Sequence, residues 1–233
     1  MEKFKTKEKY DFNDLCKIME LLRSENGCPW DREQTHRSIR NNFLEEAYEA
    51  VEGIDKNDPK ILKEELGDVL LQVVFHSQIE YENGNFGIND VADGICKKLI
   101  LRHPHIFSDT KAENSQKVLE NWDKIKREEK GQASITDSLN GISRSLPSLM
   151  RSYKILSKIS KTPFWNLDIE SAEKKIKTIT ESISKDNAED AVGEMLFLVS
   201  YLAKYYGVNP EEALFLKNDE VINSFESFEG KEM

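Results

Sequence analysis

Five carboxylates in two short segments have the residue type and spacing of a divalent-metal site. NFLEEAYEAVEG, starting at Asn42, holds Glu45, Glu46 and Glu49. LKEELGDVLLQVVF, starting at Leu62, holds Glu65 and Asp68. Helix residues turn by about 100° each, so positions i and i+3 lie about 60° apart. Glu46 therefore shares a face with Glu49, and Glu65 with Asp68. Ile39, Phe43 and Ala50 flank the first pair, and Val69, His76 and Ile79 the second. The acids are expected to point toward a helix–helix interior. No Lys or Arg stands three or four positions from any of the five, where helical ion pairs form. Carboxylates that converge without counter-charge repel one another, and a bound cation removes the conflict. Hard oxygen donors suit Mg²⁺ or Mn²⁺, and Mg²⁺ keeps positions for waters and substrate phosphates. The competing reading is a solvated Glu-rich helix face, which suffices for the first motif taken alone.

Helices must present these acids, and apolar residues recur at helical spacing along most of the chain. The spacing predicts an all-α protein. A first helix runs from a cap at Asp11 to about Glu25, where Asn26-Gly27-Cys28-Pro29 breaks it. A second covers about Thr35 to Ile54. Asp58-Pro59 opens a third, as N-cap and first helical residue, and Asn83-Gly84 stops it. A fourth starts at Asn89 or Asp90 and ends before Pro104; a fifth covers about Ser115 to Lys130. Residues 131–147 are rich in Ser, Gly and small polar groups and read as a linker between domains at 1–130 and 148–233. The second half loosely repeats the first. Phe164-Trp165-Asn166 parallels Pro29-Trp30-Asp31, and GEMLFLVSYLA from Gly193 parallels GDVLLQVVFHS from Gly67.

Composition bounds the partners. The 233 residues carry a net charge of −10, the wrong sign for gripping a nucleic-acid polymer through its phosphates. A polyphosphate ligand would need something positive between it and this chain, which again points to a metal. No apolar run approaches the roughly 20 residues of a membrane span, and the N-terminus lacks the apolar core of a signal peptide. Cys16, Cys28 and Cys96 form neither a zinc pattern nor a redox pair, and a cytoplasmic location is expected. His36, His76, His103 and His105 make no metal pair at helical spacing; His103 and His105 read as helix-end groups.

The combination of Glu-Glu-x-x-Glu with Glu-x-x-Asp resembles the signature of the MazG-type, all-α nucleoside triphosphate pyrophosphohydrolases. ENGCPWDREQTH at Glu25, EELGDVLLQVVFH at Glu64 and RHPHIF at Arg102 are also similar to MazG segments. The C-terminal half resembles the second repeat of tandem MazG proteins. What the resemblance implies is an all-α NTP pyrophosphatase fold in tandem, a homodimer, and attack by water at the α-phosphorus with release of pyrophosphate. Glu46, Glu49, Glu65 and Asp68 would be the metal ligands, with Glu45 a further ligand or the group that orients the water. Lys98 and Arg102, four apart on one helix face, and Lys126, after Trp122 in NWDKIK, are candidates to hold the outer phosphates. Leu101 stands where many relatives carry a second arginine, which weakens a paired clamp. Trp30 and Trp122 could stack on a base, although a core role is the simpler reading.

Two alternatives stay open. One is a narrower dUTP, dCTP or phosphoribosyl-ATP pyrophosphohydrolase on the same scaffold. The other is a helical regulatory module without catalysis. The second repeat has lost most of its acids: Ala191-x-x-Glu194 stands for Glu65-x-x-Asp68, and Thr178-x-x-Glu181 is the best match to Glu46-x-x-Glu49. Catalysis is therefore expected in the first repeat. Glu46→Gln, Glu49→Gln, Glu65→Gln and Asp68→Asn should each lower pyrophosphate release at least about 100-fold, the scale of losing a major electrostatic contribution. Glu181→Gln combined with Glu194→Gln should leave it almost unchanged. The reverse pattern in a pyrophosphate-release assay would put the active site in the other half.

Overall fold

In the computed structural model, which describes residues 4–108, 114–160 and 162–232, every regular element is a helix. The chain divides into two units, Met1–Val118 and Leu119–Met233. No helix among the described residues is long and apolar enough to cross a membrane.

The first unit contains α1 (Phe12–Arg23), α2 (Pro29–Glu33), α3 (Arg40–Asp55), α4 (Pro59–Glu82), α5 (Ile88–Arg102) and α6 (Pro104–Phe107). Asp11 caps α1 in a reciprocal box: the Asp14 N–H donates to Asp11 at 3.0 Å, and the Asp11 N–H donates back to Asp14 at 3.0 Å. Asp58 accepts from the N–H groups of Lys60 and Ile61 at the start of α4, with Pro59 first in the helix. Both caps agree with the sequence reading.

Two boundaries differ from it, each because side chains compete locally for backbone groups. The expected start of the second helix at Thr35 is instead a turn. Thr35 and Ser38 hydrogen-bond each other's N–H, and α3 begins only at Arg40. The helix after Gly84 begins with Gly87 as its cap, because Asp90 reaches back to the Gly87 N–H at 2.8 Å. Pro29 both breaks one helix and opens the short α2.

Met19, Ile39, Val74, Phe75 and Ile79 form the buried cluster of this unit, so α1, the turn before α3, and α4 share one core. Arg23 ties the same parts together. Its guanidinium pairs with Glu82 at 2.7 Å, donates to the carbonyls of Asp31 and Gln34, and lies over the Phe75 ring. The nearly buried guanidinium is thus met by a carboxylate, two carbonyls and an aromatic face.

The remaining elements are α7 (Ser115–Glu129), which begins just before the division, then α8 (Ile135–Asn140), α9 (Ser148–Ile159), α10 (Ile169–Ser182), α11 (Ala188–Tyr205) and α12 (Pro210–Glu232) in the second unit. The stretch read as a linker thus contains a helix. Ser134 and Asp137 build a capping box that starts α8 inside a polar segment. Here α11 packs on α9, α10 and α12, as α4 packs on α1, α3 and α5 in the first unit.

α3 and α4 are antiparallel and joined by a tight turn in which Asn57 takes a positive φ of 50°. Beside that turn, Gly53 lies so close to α4 that an added Cβ would stand 2.8 Å from the Leu62 backbone nitrogen and 3.0 Å from its Cα. The two helices can meet there only without a side chain. Gly53→Ala should therefore cost about 2 kcal/mol of stability, as overpacking against backbone does. The urea midpoint should fall; an unchanged midpoint would mean that α3 can shift without loss.

Candidate functional site

The tight turn and the Gly53 contact set the register of the hairpin, and that register decides what faces what. Glu49 stands across from Glu65, and Glu46 across from Asp68. Ligand oxygens of Glu46, Glu49 and Glu65 lie within 4.8 Å of one another. Asp68 lies outside this group of three, yet its charge acts on Glu46. Glu45 is exposed and also acts on Glu46. Glu46, Glu65 and Asp68 are half-buried, while Glu49 is exposed.

The electrostatics match an anionic cluster that lacks a counter-charge. Partial burial first, then Asp68, Glu49 and Glu45, push the Glu46 carboxyl above the usual carboxylate range. Glu65 is pushed up by burial, by the charge of Glu49 and by a hydrogen bond with it. Among the described residues none of the five acids takes part in an ion pair. Oxygen donors only, mutual repulsion and partial exposure are a donor set that suits a hard divalent cation.

The second unit supplies the contrast. Its α10 and α11 pack on each other, and Glu194 stands on α11. Lys175 of α10 pairs with Glu194, so the charge is balanced without a metal. Trp165 packs its edge against Phe197 and Tyr201 of α11, and the Tyr201 hydroxyl donates to the Leu167 carbonyl at 2.8 Å.

The other expected site residues are dispersed. Lys98 is exposed and Arg102 half-buried at the end of α5. Lys126 and Trp122 belong to the second unit, where the Lys126 ammonium stands 4.6 Å over the Trp122 ring. Trp30, for which a core role was the simpler reading, is instead 58% exposed: it stands second in the short α2, and the core is filled by Met19, Phe75 and the Arg23 network. His103 caps the end of α5, with Nδ1 2.6 Å from the Leu99 carbonyl, in line with a helix-end role.

One group escaped the sequence reading. His36 and His76, forty positions apart, meet with their Nδ1 atoms 2.7 Å apart. No spacing rule links a residue of a turn to one in the middle of a helix, so only the hairpin register could have disclosed the pair.

Residues 34–107 match the MazG nucleotide pyrophosphohydrolase domain. The chain is 40% identical over 225 residues to the nucleoside triphosphate pyrophosphohydrolase of Escherichia coli strain K12, covering 92% of this chain and 86% of that protein. It is 38% identical over 222 residues to the nucleoside triphosphate pyrophosphohydrolase/pyrophosphatase MazG of Thermotoga maritima, covering 94% and 85%. The uncharacterized protein YabN of Bacillus subtilis is 37% identical over 228 residues, covering 94% of this chain and 46% of that one. The matched domain spans α3, α4 and α5 with all five acids, Lys98 and Arg102, and stops short of Trp122 and Lys126.

The raised carboxyls make a pH prediction. Between the ordinary value of 4.5 and the raised folded-state value, the folded protein binds more protons than the unfolded chain. The contribution of these groups to stability therefore falls as pH rises through that window. In EDTA at neutral pH, Glu46→Gln should melt above wild type, and the gap should close as pH falls toward 4.5. Mn²⁺ should stabilise wild type and leave the variant nearly unmoved. Calorimetry that finds the variant less stable in EDTA at neutral pH would remove the repulsion from the account.

Proposed function

The chain belongs to the MazG family of nucleotide pyrophosphohydrolases, and from that premise we propose that its first unit converts nucleoside triphosphates to monophosphates and pyrophosphate with Mg²⁺ or Mn²⁺ at Glu46, Glu49, Glu65 and Asp68. As a family member it is a hydrolase of nucleoside triphosphate anhydride bonds. The observation that carries the finer reading is the convergence of three carboxylates within 4.8 Å on two helices, with no ion-pair partner among the described residues. A bound divalent cation would supply Lewis acidity at the α-phosphoryl group, an acidified water and neutralisation of the leaving pyrophosphate.

The protein's own groups do the positioning. The four acids hold donor atoms from two directions, so the site is fixed by the hairpin register rather than by flexible loops. Glu45, one residue outside the cluster, is placed to orient or deprotonate a water. Lys98 and Arg102 offer positive charge on the α5 face to the outer phosphates; Lys126 and Trp122 keep this role on family position alone. The pairing of Lys175 with Glu194 supports a catalytic first unit and a second unit that serves assembly.

The expected partner is a second copy of the chain. Val91, Ile95 and Leu99 form an exposed apolar stripe on one face of α5, and Leu66 and Leu70 on α4 are exposed as well; such patches mark interaction surfaces. Three free cysteines fit a reducing cytoplasm. The role suited to such an activity is nucleotide-pool housecleaning or control of nucleotide signals.

With Mg²⁺ or Mn²⁺, chromatography of the products from ATP, or from a panel of triphosphates, should show monophosphate and pyrophosphate in equal amounts, and EDTA should abolish turnover. Diphosphate and inorganic phosphate as the main products would sink attack at the α-phosphorus.

A further inference from the structure

The end of the α3–α4 pair that no covalent turn closes is joined by a chain of side chains that the metal-site reading does not use. His36 stands in the turn before α3, His76 and Glu80 on α4, and Asn85 just after α4. Nδ1 of His36 lies 2.7 Å from Nδ1 of His76. The ring planes are 11° apart and the centroids 5.0 Å apart. One imidazole centroid-to-nitrogen length on either side of the 2.7 Å contact accounts for that separation. The bond therefore lies in the plane of both rings, which meet edge to edge and not face to face. Two ring nitrogens at this distance share one proton.

The chain continues to Glu80. His36 Nε2 lies 2.5 Å from Glu80 Oε1, and Asn85 donates to Glu80 Oε2 at 2.6 Å. Glu80 is the charged group that the pair touches; Arg23 of α1 and Glu82 of α4 engage each other, and α3 presents the neutral Phe43 ring 5.8 Å from the His76 ring. An ionised Glu80 keeps a proton on His36 Nε2. His36 thus stands between Glu80 at Nε2 and His76 at Nδ1, and a proton between the two Nδ1 atoms joins the rings.

We propose that His36 and His76 are positioning residues for the acidic site: their shared proton pins the start of α3 to α4 and holds the acids of the two helices together against their own repulsion. This rests on the reading of those acids as a metal site. At the other end of the hairpin, the turn around Asn57 and the contact of Gly53 with Leu62 already fix the separation. At the open end no chain connection does so. Repulsion among Glu46, Glu49, Glu65 and Asp68 pushes the helices apart there, and Glu46 and Asp68, nearer the open end, would separate first. Phe43 touches His76 and shares a helix face with Glu46, so restraint at His76 is passed to Glu46 within one turn.

Two substitutions in the full-length chain separate this role from simple ring packing. His76→Asn keeps a hydrogen-bonding group near the Nδ1 position and loses the ring. His76→Phe keeps a ring against Phe43 and loses the hydrogen-bonding group. Mn²⁺ affinity, measured by electron paramagnetic resonance without nucleotide, should fall about tenfold in His76→Phe, the scale of one lost hydrogen bond. In His76→Asn it should stay within about twofold of wild type. The opposite order, or a His76→Phe protein that binds Mn²⁺ as wild type does, overturns the proposal. If His76→Phe does not fold, nitrogen-15 spectra of wild type decide: a scalar coupling across the two Nδ1 atoms is expected, and its absence overturns the pairing. A wild type that binds no Mn²⁺ overturns the metal-site reading itself, which distinguishes that failure from failure of the clamp.

Discussion

Repulsion among carboxylates at the α3–α4 interface is the constraint around which the first unit is arranged. Helix pairs normally meet through apolar side chains, and here the middle of the interface is given to acids instead. Charges of one sign in a half-buried place raise their own proton affinity, as Glu46 and Glu65 do. Such a place persists only when the surrounding contacts are strong enough to hold it. The Gly53 contact and the capped turn at Asp58 hold one end. The core of Met19, Ile39, Val74, Phe75 and Ile79 holds the helices from behind.

The second unit, among its described residues, holds no such group of acids. Lys175 pairs with Glu194, Ala191 is buried, and Trp165 packs against Phe197 and Tyr201. Both units are helical, and they differ in how the charge between their helices is balanced. That difference, rather than the fold, is what makes one of them a candidate enzyme.

Much of this was legible in the sequence because it is local. Asp11 and Asp58 cap helices through backbone groups two or three residues away, and their neighbours suffice to predict it. The shared face of Glu46 with Glu49, and of Glu65 with Asp68, follows from helical geometry alone, and so does the lack of a basic residue in ion-pairing range. The boundaries that shifted, at Arg40, Gly87 and α8, moved because Thr35, Asp90 and Ser134 each bind backbone groups in ways that a polar residue in a sequence only permits.

Sequence by itself therefore determined an all-α chain, two acid faces and the family to which these belong. Tertiary structure alone decided which acids meet: Glu46, Glu49 and Glu65 within one ion's reach, with Asp68 beside them. It also decided that Trp30 is exposed and that Arg23 reaches Glu82, α2 and Phe75 at once. The joining of His36 to His76 and Glu80 belongs with these. The physical reason is the same in each case. Periodicity fixes which side chains share a face of one helix. Which face meets which, and in what register, is set by the close approach at Gly53 and by the packing of the whole core, and these act between residues whose separation in sequence carries no signal.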